Sequence, residues 1–173
     1  MGAPEPAHSR DAWVGRYLTV TIETWPGLGE YELIRKHQAA AVVPVTPDDD
    51  VLLVRQFRPP VRDSLLEIPA GLLDVDGEDA LSCASRELLE ETGFRASEIE
   101  FLGGCYLSPG FTDEYAHLFW ARTEPQPERD PEEGIELVRM PFGQAVVAAR
   151  AGRFRNVTTA VGILLAEPRA LDS

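Results

Sequence analysis

Three glutamates, Glu87, Glu90 and Glu91, stand at positions i, i+3 and i+4 of the run Arg86-Glu87-Leu88-Leu89-Glu90-Glu91-Thr92. On a helix this spacing puts three carboxylates on one face, about a turn apart. Like charges so placed weaken a bare helix by about 0.2–0.5 kcal/mol per pair, and a segment shaped only by stability would mix signs. Hard divalent cations take oxygen ligands, and Mg²⁺ in particular combines a few carboxylates with water and substrate phosphate. The face therefore reads as a site for Mg²⁺, with Mn²⁺ as the substitute. Arg86, one turn before Glu90, is placed to orient or neutralise a carboxylate rather than to touch a substrate. Glu78 opens the same helix, where an acid suits the helix dipole as well as a metal.

The elements that must hold this face follow from periodicity. Leu81, Ala84, Leu88 and Leu89 recur at helical spacing over Glu78 to Thr92, with acids in the first turn and Gly93 as the stop. Strands are expected at 16–25, 31–35, 39–45, 51–57 and 65–69 before the helix, and at 100–107, 115–123 and 135–140 after it. Pro26 to Gly29 and Pro47 to Asp50 read as turns. Residues 142–151 and 158–166 read as helices, ended by Gly152 and Pro168. Many strands with a few helices, out of strict alternation, predict an α+β sandwich on a mixed sheet. Residues 1–12, Pro- and Ala-rich without periodicity, are expected to form a flexible tail.

Composition narrows the function classes. The chain has 173 residues, 44% hydrophobic and 26% charged, which is ordinary globular usage and one domain's length. It has no apolar run long enough for a membrane span, and its first ten residues lack the apolar core of a signal peptide. Cys83 and Cys105 are too few for a disulfide framework and read as small core residues. A soluble cytoplasmic protein is expected. A net charge of −13 argues against nucleic acid or an anionic membrane as partner. Ten acids and two arginines fall between Glu67 and Glu100, and six acids and one arginine between Glu124 and Glu136. His8, His37 and His117 are scattered and read as structural, and neither a P-loop nor a serine nucleophile elbow occurs.

The stretch from Gly71 to Phe94 resembles the Nudix box, G-x5-E-x7-R-E-U-x-E-E-x-G-U, where U is apolar. Glu78, seven intervening residues and Arg86 to Phe94 match throughout. Six residues, Leu72 to Gly77, replace the usual five between Gly71 and Glu78, an insertion that falls in a loop. The resemblance implies an α/β/α Nudix sandwich in which Glu87, Glu90, Glu91 and the backbone carbonyl of Ala70 hold the metal. Pro109 stands fifteen residues beyond Phe94, within Ser108 to Glu114, and this stretch is similar to the ADP-ribose pyrophosphatase branch. Residues 52–61, 66–71 and 161–166 resemble the same branch, so the likeness covers about 13–168.

That branch implies Mg²⁺-dependent hydrolysis of ADP-ribose to AMP and ribose 5-phosphate. The alternatives are a pyrophosphatase for another nucleoside diphosphate sugar, such as GDP-mannose, and a silent Nudix domain that senses a nucleotide. Arg58 follows an apolar strand and precedes two prolines, and its guanidinium fork suits a substrate phosphate. Pro109, Glu67 and Glu114 complete the expected substrate contacts. The resemblance implies a catalytic glutamate on the loop after residues 115–123, with Glu133 the matching position and Glu132 beside it. A carboxylate there could act as general base on the attacking water. Residues 13–36 correspond to an N-terminal β region that the branch exchanges between subunits, implying a homodimer, ahead of a hydrolase domain at 37–173. Trp13, Tyr17, Trp25 and Tyr31 could clamp adenine or pack an interface.

Overall fold

Alternation of apolar residues along the central strands decides the architecture. Ala41, Val43 and Val45 face one way and Ala40 and Val42 the other, and all five are fully buried, so both faces of this strand must be covered. The computed structural model describes residues 4–171; residues 1–3 of the expected tail and 172–173 of the expected hydrolase domain lie outside it.

Three antiparallel strands come first: β1 (His8–Val14), β2 (Leu18–Trp25) and β3 (Gly29–Lys36), in spatial order β1-β2-β3. The second sheet holds β4 (Ala39–Val45), β5 (Asp50–Arg58), β6 (Asp63–Glu67), β7 (Ala70–Leu72), β8 (Ala96–Tyr106), β9 (Tyr115–Thr123) and β10 (Glu136–Pro141). Its order is β10-β5-β4-β9-β8, with β6 paired to β5 and β7 to β4. Only β4 and β9 run parallel, which makes the sheet mixed.

One face packs against α2 (Phe142–Arg150) and α3 (Val157–Leu171) through Val43, Leu53, Trp120, Phe142, Val146 and Ile163. The other packs against α1 (Ala80–Thr92) through Val42, Phe119, Cys83, Ala84 and Leu88. The expected α/β/α sandwich and N-terminal β region are therefore both present. The two sheets meet where Ile34 donates its N–H to the Phe111 carbonyl (2.7 Å) beside a parallel bridge between Ile34 and Thr112. No helix among the described residues is long and apolar enough to cross a membrane.

Four details depart from expectation. Residues 8–12 of the expected tail belong to β1, in register with β2 from His8 opposite Thr24; backbone pairing orders them although every side chain of β1 is exposed. Helix α1 starts at Ala80, not Glu78, because Asp79 caps it: its carboxylate accepts from the Ser82 N–H at 2.7 Å, and no acid occupies the first turn. Leu81, expected on the apolar stripe, is exposed, and Cys83 fills the core in its place. Finally, α3 runs through Pro168 to Leu171. Pro168 lacks the N–H that would bond the Leu164 carbonyl, and Leu164 lies on the exposed side, where water can take that carbonyl.

The cap carries a direct expectation. Asp79→Ala should lower stability by about 1 kcal/mol in urea unfolding, while Asp79→Asn should leave it nearly unchanged.

Candidate active site

The acidic face of α1 is pressed against β7 at Gly71, the one residue of that strand without a side chain. A Cβ on Gly71 would lie 1.9 Å from Glu87 Oε1, so glycine here leaves the Glu87 carboxylate where it is, and any side chain would displace it. The neighbouring Ala70 opposes Ala41, while the backbone bond from Val42 N–H to the Pro69 carbonyl marks the adjacent pair as the hydrogen-bonded one. Both polar groups of Ala70 therefore face away from β4. Its N–H donates to Glu91 Oε2 at 3.1 Å, and its carbonyl is left available on the same edge, as a metal ligand requires.

Burial sets the electrostatics. Glu91 is 6% exposed, and desolvation pushes its carboxyl up to about 8, against the Ala70 hydrogen bond that pulls it down. Desolvation also raises Glu87 above its ordinary value, against the attraction of Arg86. The charges of Arg58 and Glu67 both bear on Glu91, which places β5 and β6 beside this end of the face. Arg86 binds Glu78 through two hydrogen bonds, Nε to Oε1 at 2.9 Å and Nη2 to Oε2 at 3.0 Å. Those bonds hold Glu78 below the usual carboxylate range and Arg86 firmly protonated. Its remaining nitrogen, Nη1, reaches Glu87 at 2.6 Å and Glu90 at 2.9 Å.

With Nη1 between them, the carboxylates do not close up: among the described residues no three acidic, thiol or imidazole groups stand close enough to enclose an ion. The donor set nevertheless fits a hard divalent cation, being all oxygen, partly desolvated and in need of positive charge. Cys83, one turn before Glu87, does not compete, because burial pushes its thiol up to about 12.

The acidic loop after β9 is tied to the end of α1 through carbonyls of the last turn and the cap residue. Glu128 N–H donates to the Gly93 carbonyl (2.8 Å), Glu132 N–H to the Glu90 carbonyl (2.9 Å) and Arg129 Nε to the Leu89 carbonyl (3.3 Å). Gly93 closes α1 at φ 80°, and a Cβ there would lie 1.9 Å from the Arg129 carbonyl oxygen, so this glycine serves both the cap and the loop. Glu90, Arg129, Asp130 and Glu132 line a cleft of about 360 Å³. Glu133, the residue expected to act as base, is exposed and does not line it. The register of the loop brings its neighbour Glu132 to the acidic face instead, and the negative charge of Glu132 contributes to the raised value of Glu87.

The expected substrate contacts separate into two groups. Arg58 and Glu67 lie beside Glu91, but Glu67 is only 2% exposed and fully engaged. Its Oε2 accepts from Arg58 Nε and Nη2, and its Oε1 from Asn156 Nδ2 at 3.0 Å. Both carboxylate oxygens of Glu67 are therefore engaged within the protein. Pro109 and Glu114 lie at the junction of the two sheets. Glu114 Oε1 pairs with Lys36 Nζ at 2.5 Å, and Asp113 accepts from the Lys36 N–H and Arg35. Pro109 lines a cleft of about 280 Å³ with Leu33, Tyr106 and Phe111.

A family model described as the NUDIX domain matches residues 35–160. The chain belongs to the Nudix family. An ADP-ribose pyrophosphatase of Bacillus subtilis (strain 168) is 35% identical over 136 residues, covering 76% of this chain and 73% of that protein. A GDP-mannose pyrophosphatase of Yersinia enterocolitica is 35% identical over 124 residues, covering 65% of this chain and 64% of that protein. The crystal structure of an ADP compounds hydrolase shares the fold, with a TM-score of 0.79 over 99% of this chain and 96% of that one, at 22% identity. The Nudix box thus carries a hydrolase of the nucleoside diphosphate-cleaving kind. Its reading from sequence missed Asn156, whose only local signal is its place before the β-branched start of a helix.

The buried carboxylates give a pH dependence of known sign. Glu91 titrates near 8 when folded and near 4.5 when unfolded, so between these values the folded state binds more protons. In EDTA, thermal stability should be greatest below pH 4.5 as far as this group is concerned. It should fall as pH rises towards 8, by on the order of a few kcal/mol. Glu91→Gln should flatten the profile, and millimolar Mg²⁺ should restore stability at pH 8 in the unmodified protein but not in the variant.

Proposed function

We propose that this Nudix hydrolase splits the diphosphate of ADP-ribose, giving AMP and ribose 5-phosphate, with Mg²⁺ as its metal and Mn²⁺ as a substitute. Glu87, Glu90, Glu91 and the Ala70 carbonyl would hold the metal, which when bound supplies positive charge to the diphosphate oxygens and acidifies water. The observation that carries this reading is the pairing of a desolvated carboxylate face on α1 with a guanidinium, Arg58, beside it: one half suits cations, the other suits phosphate.

Arg58 offers the outer edge of its fork, since its inner edge is spent on Glu67. Glu132 takes the role of general base, because its backbone is anchored to Glu90 and its side chain lines the cleft that Glu90 lines. Glu90 and Glu91 complete the catalytic set. Pro109 shapes the far wall of the substrate site, and Glu114 fixes the loop that carries it through Lys36. The N-terminal region, residues 13–36 together with the start of β1, forms a homodimer interface. The exposure of Trp13 (56%), Tyr17 (53%) and Tyr31 (40%) supports this, since such side chains pack when a partner is present. The two free cysteines suit a reducing, cytoplasmic setting. GDP-mannose is the second reading, favoured by the likeness to a GDP-mannose pyrophosphatase over most of the chain.

The test is a product assay by mass spectrometry with ADP-ribose, GDP-mannose and nucleoside triphosphates, each with Mg²⁺ or EDTA. ADP-ribose should be cleaved fastest and only with metal; preference for a triphosphate would overturn the reading, and absence of metal-dependent turnover would favour a nucleotide sensor. Glu132→Gln should lower kcat about 100-fold or more, with Glu133→Gln within about twofold of the unmodified enzyme. The reverse order would return the base to Glu133.

A further inference from the structure

We propose that Asn156 is a positioning residue for the substrate's phosphate, acting through Glu67 to fix the plane in which Arg58 presents its guanidinium. The inference rests on Arg58 gripping a diphosphate, as put forward above. Asn156 lies where the α2–α3 connection turns into α3, far in sequence from every motif of the box.

Its amide is held in one orientation by its surroundings. Oδ1 accepts from the Thr159 N–H (2.9 Å) and the Thr159 hydroxyl (3.2 Å), so the nitrogen must point the other way, where Nδ2 donates to Glu67 Oε1 at 3.0 Å. Thr159 Oγ1 in turn accepts from the Ile68 N–H at 3.0 Å, which locks the helix start to the end of β6. Capping alone would not select asparagine. Serine, threonine and aspartate cap as well, but of these residues only asparagine offers an acceptor on one side and an N–H on the other.

The N–H is needed because of what it meets. Glu67 has a side chain 3% exposed, and one of its oxygens is committed to Arg58. Without Asn156 the other oxygen would be a buried, unpaired acceptor on a charged group, and the carboxylate would be free to turn. Arg58 is 40% exposed and binds Glu67 through Nε and Nη2. The fork's plane thus follows the carboxylate's plane. The same connection grips the other end of β6: Arg155 Nη2 binds Asp63 Oδ2 at 2.7 Å, and Asp63 is the residue paired with Arg58 across β5 and β6. Two consecutive residues of this connection therefore brace both ends of the strand against which Arg58 lies.

The experiment uses Asn156→Asp and Asn156→Ser in the full chain. Both keep a capping oxygen, and both remove the amide N–H that reaches Glu67; aspartate has no donor, and the serine hydroxyl is a bond shorter. Three readouts are needed: thermal midpoint, kcat and KM for ADP-ribose with Mg²⁺, and the Arg58 Nε–H resonance in ¹⁵N-labelled protein. We expect the slowly exchanging Arg58 signal to vanish in both variants. KM should rise about tenfold, the loss of one charge-assisted hydrogen bond's alignment, with kcat within about threefold and folding intact. In an Arg58→Ala background Asn156→Asp should change KM no further. A retained Arg58 signal, an unmoved KM, or an equal KM effect in the Arg58→Ala background would each overturn the proposal. If the unmodified protein cleaves no diphosphate sugar, the functional reading fails on its own, and the Arg58 signal still decides whether Asn156 holds that side chain.

Discussion

A carboxylate taken out of water must be given positive charge or a proton, and the buried end of α1 imposes that choice on everything around it. Glu91 sits almost wholly inside the protein, between the Ala70 amide and the charges of Arg58 and Glu67. The demand is met by a raised proton affinity at Glu91 and by Arg86 Nη1 at Glu87 and Glu90. A guanidinium satisfies carboxylates in a plane, whereas a small divalent ion gathers oxygens around a point. Arg86 keeps its other nitrogens on Glu78, so Nη1 alone lies between Glu87 and Glu90.

The scaffold around this face is organised to keep the backbone close and the helix fixed. Gly71 admits β7 to within contact of Glu87, Asp79 caps the start of α1, and Gly93 ends it while making room for the acidic loop. Val42 and Phe119 from the central parallel pair, β4 and β9, pack beneath the helix through Ala84 and Leu88. Carboxylates mounted on such an element need little reorganisation when charge develops in front of them, which is the condition for electrostatic catalysis.

What could be read in the sequence was local, and what could not was a matter of register. The acidic face, its helix and Arg86's role as an orienting cation all follow from residues within two turns of one another. Residues 115–123 were legible to the residue because apolar and turn signals bracket them. Residues 8–12 were not, since His8-Ser9-Arg10-Asp11 carries no alternation and is ordered by its pairing with β2, with side-chain bonds from Ser9 to Glu23 and from Thr21 to Asp11. The placement of Glu132 at the cleft depends on bonds from Glu128, Arg129 and Glu132 to carbonyls at the end of α1, which no pattern encodes. Glu67 looked like a substrate contact because an acid beside the box invites that reading. Its burial and its bond to Asn156, 89 positions away, could not be read from that neighbourhood.

The attachment of the acidic loop to α1 runs through main-chain donors at Glu128 and Glu132, with a side-chain bond only from Arg129. Main-chain anchors leave the Glu132 side chain with its full set of torsions. Its carboxylate can sweep an arc above Glu90 by bond rotation alone, while the peptide that carries it stays still. Reach is thus separated from tether, so sequence drift along this stretch can alter how far the acid swings without moving the pivot from which it swings.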